Sequence, residues 1–245
     1  MGNLRTLPGQ VHPAWQPFLD AARHRQLQQV EARIGTDYRP EPGRVLRFLQ
    51  VDLGAVRVVI LGQDPYLQPG AATGRAFEVG SLRSWQEPFT NRSLQNLIRL
   101  LYKTAHGLEE YASIPPFSQI RQEIAHGRFP ILPPDRLFAA WEAQGVLLLN
   151  TALTVDVRAG AGSHRQIWAE FAADLIGFIS GQRPDLHWFL WGKSAQSFLP
   201  QIAAGNVHMS RHPMLCSPKY ADDFLRADCF QQTWGLIDWL GTEGA

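Results

Sequence analysis

Long apolar runs and cysteines are both scarce in this 245-residue sequence, and each scarcity excludes a class of protein. No apolar run approaches the roughly 20 residues that a membrane-spanning helix needs, so we expect no membrane partner. The first residues, Met1–Arg5, contain no apolar signal core, which favours a cytoplasmic protein. The two cysteines, Cys216 and Cys229, are too few for a disulfide framework, a four-thiolate zinc site or an iron–sulfur cluster.

The composition is that of an ordinary globular chain, with 45% hydrophobic and 18% charged residues. Its length suits one large domain better than two, so we expect a single domain over residues 1–245. The net charge of +1 neither requires nor excludes a nucleic-acid partner, because a basic groove can lie within a neutral total. One proline-rich segment, at about 103–134, lacks strong periodicity and predicts an irregular surface insertion.

Four short apolar runs recur along the chain and are separated by segments with helical character. Their β-rich composition is typical of strands that are buried on both faces of a parallel sheet. The alternation predicts an α/β fold, with a central, mostly parallel four-stranded sheet flanked by helices. The expected strands are 56–61, 146–149, 187–191 and 206–209. The expected helices are 14–34, 44–49, 93–103, 136–143, 165–180, 194–204 and 227–240.

Polar side chains follow each expected strand, which is where ligands bind in open α/β sheets. The four segments that follow the strands are Gly62–Tyr66, Asn150–Thr151, Gly192–Ser194 and Ser210–Pro213. They bring an acid, amides, hydroxyls, an imidazole and an aromatic ring to one edge of the sheet. The sequence therefore predicts a functional site at that edge.

The segment Gly62–Tyr66, with the sequence GQDPY, resembles the water-activating motif of family 1 uracil-DNA glycosylases. Further segments are similar to that family in the same order, and the similarity covers roughly residues 18–100 and 137–230. They are LLNTALTV at 148–155, AGAGSH at 159–164 with Trp168, FLWG at 189–192 with AQ at 195–196, and His212–Pro213. The resemblance implies the three-layer fold of that family. It also implies hydrolysis of the N-glycosidic bond of deoxyuridine in DNA, which leaves an abasic site without metal or cofactor.

The resemblance assigns catalysis to Asp64 and His212. Asp64 would orient a water molecule and stabilise a cationic sugar, although an aspartate before proline is also a common turn residue. His212 would donate a hydrogen bond to a uracil carbonyl as a neutral imidazole; the alternative is a histidine that packs beside Pro213. His208 and His212 are four residues apart, but their position at a strand end before a proline disfavours a zinc site.

Four residues are assigned to the base itself. Asn150 carries both a donor and an acceptor, which fits the N3–H and O4 edge of uracil, although asparagine also caps strand exits. Phe77 would stack on the flipped base, whereas a phenylalanine is also a common core residue. The ring of Tyr66 would exclude the C5-methyl group of thymine. Gln63, from the same motif, is assigned to substrate binding.

Six residues are candidates for contacts with DNA. They are Ser93, Ser194, Leu215, Cys216, Ser217 and Lys219. Hydroxyls and backbone amides at helix N-termini suit phosphate groups, and Ser93 lies where a helix is expected to begin, so it is equally a candidate N-cap.

The sequence departs from the family pattern around the expected DNA contacts. The family's His-Pro-Ser-Pro-Leu-Ser becomes HPMLCS at 212–217, so the family's wedge leucine aligns with Cys216 while Leu215 lies one residue earlier. Tyr-His-Gly becomes YLQ at 66–68, and the proline-rich stretch before Ser93 becomes EPFTNR at 87–92. The connection at 103–134 is also longer than the family's. These changes affect the expected DNA contacts and their surroundings more than the residues assigned to the base.

Two other functions are alternatives to uracil excision. A glycosylase for another altered base is disfavoured, because Tyr66 would exclude a substituent at C5 and Asn150 fits the N3–H and O4 edge of uracil itself. A protein that binds uracil or damaged DNA without cutting it is disfavoured by the presence of Asp64 and His212. The expected partner is uracil-containing DNA, single- or double-stranded, with protein inhibitors of glycosylases as further candidates. We expect a monomer.

Overall fold

The computed structural model describes residues 5–242, so Met1–Leu4, which bear on the export prediction, lie outside the described residues. Strands within this range form a two-stranded antiparallel sheet and a four-stranded sheet. The strands are β1 Tyr38–Arg39, β2 Val58–Gly62, β3 Val146–Asn150, β4 Val155–Asp156, β5 His187–Trp191 and β6 Asn206–Ser210.

The four-stranded sheet is parallel throughout, with the strand order β3-β2-β5-β6. β2 and β3 are buried along their whole length, although β3 is an edge strand of the described sheet, and their continuous apolar sequences match this burial on both faces. Because successive strand residues point to opposite faces, Val58 and Ile60 enter one core whereas Val59 and Leu61 enter another. The α/β fold predicted from the sequence is confirmed.

Helices cover both faces of this sheet and complete the three layers. Those described are α1 Ala21–Ile34, α2 Pro42–Val45, α3 Arg92–Ala105, α4 Phe117–Ala125, α5 Pro134–Ala143, α6 Arg165–Gln182, α7 Lys193–Gln196 and α8 Cys229–Gln232. α3, α4, α5 and α8 contribute to the core that contains Ile60, and α1 and α6 to the core that contains Leu61. Within residues 5–242 no helix has the length and apolar character to cross a bilayer.

The first helix is shorter than the one predicted at 14–34. α1 begins only at Ala21, because the side chain of Asp20 accepts the backbone N–H of Arg23 at 2.7 Å and caps the helix there. The residues before it form a separate 3-10 turn at Pro13–Trp15. The apolar residues keep helical spacing from 14 to 34, but the hydrogen bond of the Asp20 cap makes the helix begin at Ala21.

Three further predicted helices are wrong in extent. In their place lie α2 with a 3-10 turn at Arg47–Gln50, α7 with a 3-10 turn at Leu199–Gln201, and α8 alone within 227–240. The hydroxyl of Thr233, the residue that follows α8, donates to the carbonyl of Cys229, the first residue of α8, at 2.8 Å. The residues that follow bring the Trp239 ring to 4.7 Å from the Phe230 ring, measured between centroids. Aromatic packing here replaces a longer helix.

The insertion at 103–134 is not irregular, which corrects the expectation from its prolines. It contains a 3-10 turn at Tyr111–Ser113 and the nine-residue helix α4. Prolines 115 and 116 precede α4 rather than interrupt it, as suits a residue without a backbone N–H. The segment also contributes buried side chains to the main core, namely Ile114, Phe117, Ile120, Phe129 and Ile131. It is therefore packed into the fold rather than laid over the surface.

The fourth predicted strand is an edge strand and is not buried on both faces. Among the strands of residues 5–242, β6 pairs only with β5, and its Met209 side chain is 56% exposed. Within it, His208 Nε2 lies 2.9 Å from Nδ1 of His187, and the two rings stack. His208 is thus paired with the neighbouring strand rather than with His212.

Candidate active site

The carboxyl ends of β2 and β3 lie side by side, because Gly62 and Asn150 are partners in the parallel register. A cavity of about 440 Å³ opens over these ends. All six residues assigned to catalysis or to the base line it: Gln63, Asp64, Tyr66, Phe77, Asn150 and His212. The remaining lining residues are Gly62, Pro65, Leu67, Gln68, Ser93, Ala161, Met214 and Leu215.

Gly62 gives the Asn150 side chain its room. A Cβ atom on Gly62 would overlap Oδ1 of Asn150 and would lie 2.7 Å from the Cβ of Ala76, so the close approach requires glycine. The Asn150 side chain is buried, and its amide makes no hydrogen bond with residues 5–242. A buried amide with both its donor and its acceptor free suits a ligand that supplies the matching pair.

The Asp64 carboxylate has one oxygen engaged and one open. Nε2 of Gln63 donates to Oδ2 of Asp64, while Oδ1 is buried and has no partner in the described part of the chain. Nη2 of Arg165 donates to Oε1 of Gln63 at 2.8 Å, and this contact orients the amide so that its NH₂ group meets Asp64. The open oxygen is suited to accept a hydrogen bond from a water molecule.

His212 is held as a neutral imidazole of one tautomer. Its Nδ1 accepts the backbone N–H of Met214 at 3.1 Å, which leaves the proton on Nε2. Burial lowers the pKa of His212 below its ordinary value of 6.5. Gly192, with φ +86°, permits the close approach, since a Cβ there would lie 2.8 Å from the Cβ of His212. An imidazole in this state donates a hydrogen bond from Nε2.

Phe77 has a strained backbone at the wall of the cavity. With φ +64°, it is the one residue other than glycine in 5–242 that adopts a left-handed conformation. Its ring packs edge-on against Trp191, 5.3 Å between centroids, and the N–H of the preceding Ala76 donates to the carbonyl of Leu148 at 3.1 Å. Strain of this kind persists only where the surroundings hold it, and it is typical of functional sites.

Tyr66 lies beside Phe77 in the wall of the cavity and is half-buried. Its hydroxyl lies 3.4 Å from the carbonyl oxygen of Phe77 and 3.4 Å from Oδ1 of Asn91. Burial raises the pKa of Tyr66 to about 12, and the hydrogen bond to Asn91 opposes part of that rise. The phenol is therefore neutral, and its ring is a fixed wall of the cavity.

Two of the six residues assigned to DNA contacts, Ser93 and Leu215, line this cavity. Ser93 is buried in the first turn of α3, but the helix begins at Arg92 with Asn91 as the N-cap, so the capping alternative for Ser93 is wrong. Leu215 lies at the rim and is 69% exposed. The adjacent Met214 is 52% exposed and was not singled out from the sequence.

The other four lie outside the cavity. Cys216 is half-buried against the core, with its thiol 3.5 Å from the carbonyl of Pro213, and burial raises its pKa to about 12. Ser217 and Lys219 follow on the same loop, and the backbone N–H of Lys219 lies 3.4 Å from the Ser217 hydroxyl. Ser194 lines a neighbouring pocket of about 400 Å³, where its hydroxyl accepts from Arg165 Nη2 at 2.7 Å.

Sequence reasoning missed Arg165, which lies between the two cavities. Its guanidinium contacts both Gln63 and Ser194, and these residues are 102 and 29 positions away along the chain. The position was visible only as the first residue of a predicted helix. A long side chain on a helix start carries no local pattern that reveals its partners, so no sequence signal could have found this contact.

The family model of the uracil DNA glycosylase superfamily matches residues 49–236. A uracil-DNA glycosylase of Mycobacterium tuberculosis is 32% identical over 232 residues, which cover 94% of this chain and 90% of that protein. A uracil-DNA glycosylase of Salmonella arizonae is 38% identical over 183 residues, covering 74% of this chain and 67% of that protein. The chain belongs to the uracil DNA glycosylase superfamily.

Solved structures agree with this assignment at the level of the fold. The crystal structure of mimivirus uracil-DNA glycosylase superposes with a TM-score of 0.61 at 25% identity, covering 89% of this chain and 72% of that one. The UNG structure from Nitratifractor salsuginis gives a TM-score of 0.69 at 21% identity, covering 97% and 94%. A mimivirus UNG variant in complex with UGI is also similar, with a TM-score of 0.62.

Proposed function

We propose that this protein is a family 1 uracil-DNA glycosylase that hydrolyses the bond between uracil and deoxyribose in DNA. The observation that carries the proposal is the meeting of Asp64, Asn150 and His212 on one cavity at the ends of three different strands. Each of the three presents a free group of the kind that the reaction needs. The product is an abasic site, which places the protein in base excision repair.

Substrate recognition follows from the cavity walls. Uracil must leave the base stack to enter a cavity of this size, so the proposal includes base flipping. Phe77 supplies an aromatic face for the flipped ring, and the Asn150 amide pairs with the N3–H donor and the O4 acceptor. Cytosine presents the reverse pattern at that edge and would leave both amide groups mismatched. Tyr66 excludes the thymine methyl group by steric overlap.

Hydrolysis divides between Asp64 and His212. The C1′–N1 bond breaks as its electron pair leaves with uracil, so the sugar gains positive charge and the base negative charge. The Asp64 carboxylate stabilises the cationic sugar and orients a water molecule, whose oxygen bonds to C1′ while one of its protons passes to the carboxylate and from there to solvent. Nε2–H of His212 donates to the O2 atom of the uracil anion. No step requires a metal or an organic cofactor.

Contacts with the DNA backbone and the base stack are proposed for the rim. Ser93, Ser194, Ser217 and Lys219 are proposed for phosphate contacts. The exposure of Leu215 favours it over Cys216 as the wedge that fills the vacated stack, because the Cys216 side chain is packed against the core. The proposal includes action as a monomer, and binding of a protein inhibitor to the same face stays a prediction.

The two alternatives are less well supported. A non-cutting DNA-binding protein would have no use for a carboxylate oxygen kept open beside a neutral histidine. A base enlarged at C5 would clash with the ring of Tyr66 in the cavity wall, which disfavours a glycosylase for such a base.

The test uses oligonucleotides that carry one uracil, as single strands and as duplexes, followed by alkali cleavage at abasic sites. Purified protein should cut both uracil substrates and leave a matched thymine oligonucleotide intact. Binding without cleavage would support the non-cutting alternative. Cleavage only at another altered base would support the second.

A further inference from the structure

The exposed Leu215 lies between two hydrogen-bonded anchors on its own loop. On one side, Nδ2 of Asn96 donates to the carbonyl oxygen of Pro213 at 2.6 Å. On the other side, the backbone N–H of Ser217 donates to Oδ2 of Asp223 at 2.6 Å. The three residues between these anchors make up the tip of the loop, so the anchors set where Leu215 stands.

The first anchor is held by α3 and by the insertion. Nη1 of Arg99 donates to Oδ1 of Asn96 at 2.9 Å, which turns the amide so that its NH₂ group faces Pro213. The same guanidinium donates through Nε to the carbonyl of Pro115 at 2.9 Å and through Nη2 to that of Ile114 at 3.4 Å. Arg99 therefore links the loop to the turn at 111–115.

The second anchor reaches the same turn by a different route. The Tyr111 hydroxyl donates to Oδ1 of Asp223 at 3.1 Å, and that oxygen also accepts the backbone N–H of Leu225 at 3.0 Å. Asp223 is only 1% exposed, so its carboxylate depends on such donors. Burial and the Asp223 charge both raise the pKa of Tyr111, which keeps the phenol protonated as a donor. Arg226 lies over the Tyr111 ring at 5.1 Å from its centroid.

We propose that the 111–115 turn is a positioning element that holds the Leu215 loop for action on duplex DNA, with Tyr111 and Arg99 as its positioning residues. The proposal rests on the function proposed above. It gives the insertion a role, and it explains how the loop keeps a defined shape although Leu215 and Cys216 occupy positions where the family pattern has proline and leucine.

The main test replaces Tyr111 with phenylalanine, which removes the hydroxyl and keeps the ring. Tyr102→Phe is the matched control, since Tyr102 packs on His106 and Phe129 while its hydroxyl makes no hydrogen bond with a described residue. Loss of a hydrogen bond to a buried charge should lower single-turnover uracil excision from duplex DNA roughly tenfold. Excision from single strands, which need no plugged gap, should stay within about twofold. Tyr102→Phe should change neither.

Hydrogen exchange gives a readout that does not depend on excision. The Ser217 amide is protected by Asp223, so peptides that cover 212–220 should exchange faster in Tyr111→Phe than in the wild type or in Tyr102→Phe. Arg99→Lys removes the guanidinium group that contacts Asn96, Pro115 and Ile114 at the other anchor. It should also speed hydrogen exchange over 212–220 and slow excision from duplex DNA. Unchanged exchange in both variants, or equal losses on duplex and single strands, would overturn the proposal. A wild type without excision would refute the proposed function, while the exchange would still decide whether the turn holds the loop.

Discussion

The Nδ1 atom of His212 accepts a hydrogen bond from the backbone N–H of Met214 at 3.1 Å. The contact assigns the single proton of the neutral ring to Nε2, the atom proposed to donate to the uracil anion. Protonation of Nδ1 would destroy this contact as well as add a charge. The tautomer of His212 is therefore set by the loop that carries Leu215.

A pH titration of His212 follows from its burial. Burial lowers its pKa below 6.5, so in the acid range the unfolded chain binds this proton more readily than the folded chain does. We expect the Nε2–H tautomer at pH 7, imidazolium only below pH 6.5, and a loss of folding stability as the pH falls through that range. Nitrogen NMR of the histidines with His212→Gln as the assignment control checks this; a midpoint above 6.5 would contradict it.

Replacement of Asp64 by asparagine should separate binding from chemistry. The amide keeps the size of the side chain but removes the charge that stabilises the cationic sugar. We expect single-turnover excision to slow by at least about a hundredfold, with affinity for uracil-containing duplex unchanged. Asp185→Asn is the control, because Asp185 is exposed and lies before the opposite end of β5. Turnover of Asp64→Asn at the wild-type rate would remove Asp64 from the mechanism.

Replacement of Tyr66 by alanine should relax the choice of base. The change removes the ring that closes the cavity, so thymine gains room for its methyl group and should be released slowly. Mass spectrometry of the released bases measures both products from one reaction. Preserved uracil release without any thymine release would show that the ring does not exclude the methyl group.

Replacement of Leu215 by alanine tests the wedge. Flipping from a duplex costs a few kcal/mol of unpairing and unstacking, and an apolar side chain in the gap offsets part of that cost. We expect a much larger loss of single-turnover rate on duplex than on single-stranded DNA. Cys216→Ala should have little effect on either, because the Cys216 side chain packs against the core. Equal losses on the two substrates would point to a packing role for Leu215.

The sheet and its functional edge were predictable from the sequence because both depend on short-range patterns. The apolar runs 146–149 and 187–191 match β3 and β5 almost to the residue. Because the strands are parallel, the polar residues that follow them lie at the same edge of the sheet. Strand position was not predictable, because the run at 206–209 resembles a strand buried on both faces, although β6 has one neighbouring strand in the described part of the chain and is largely unburied.

Features set by distant contacts were also missed. The insertion was expected to be irregular because it is rich in proline and lacks strong periodicity, and only the core of the folded chain shows where Phe117 and Ile120 belong. The sequence left the choice between Leu215 and Cys216 open, because it does not show which side chain the loop turns outward; in the folded chain Leu215 is exposed and Cys216 packs against the core. Arg165 contacts Gln63, 102 positions away, and Tyr111 contacts Asp223, 112 positions away, so neither contact leaves a local pattern in the sequence.

The pairing of Gly62 with Asn150 places the residues proposed to select the base on different strands from His212, which is proposed to act in bond cleavage. Base selectivity and cleavage rate could therefore change independently in evolution. The proposed selectivity for the base rests on two neighbouring strands, β2 and β3, that are spaced about 4.8 Å apart and packed on both faces by the cores. His212, in contrast, follows β6, an edge strand with only one fully buried residue, whereas β3, the opposite edge strand of the described sheet, is buried along its whole length. If the proposed roles hold, we expect remodelling of β6 to change the rate of bond cleavage while the identity of the accepted base stays the same.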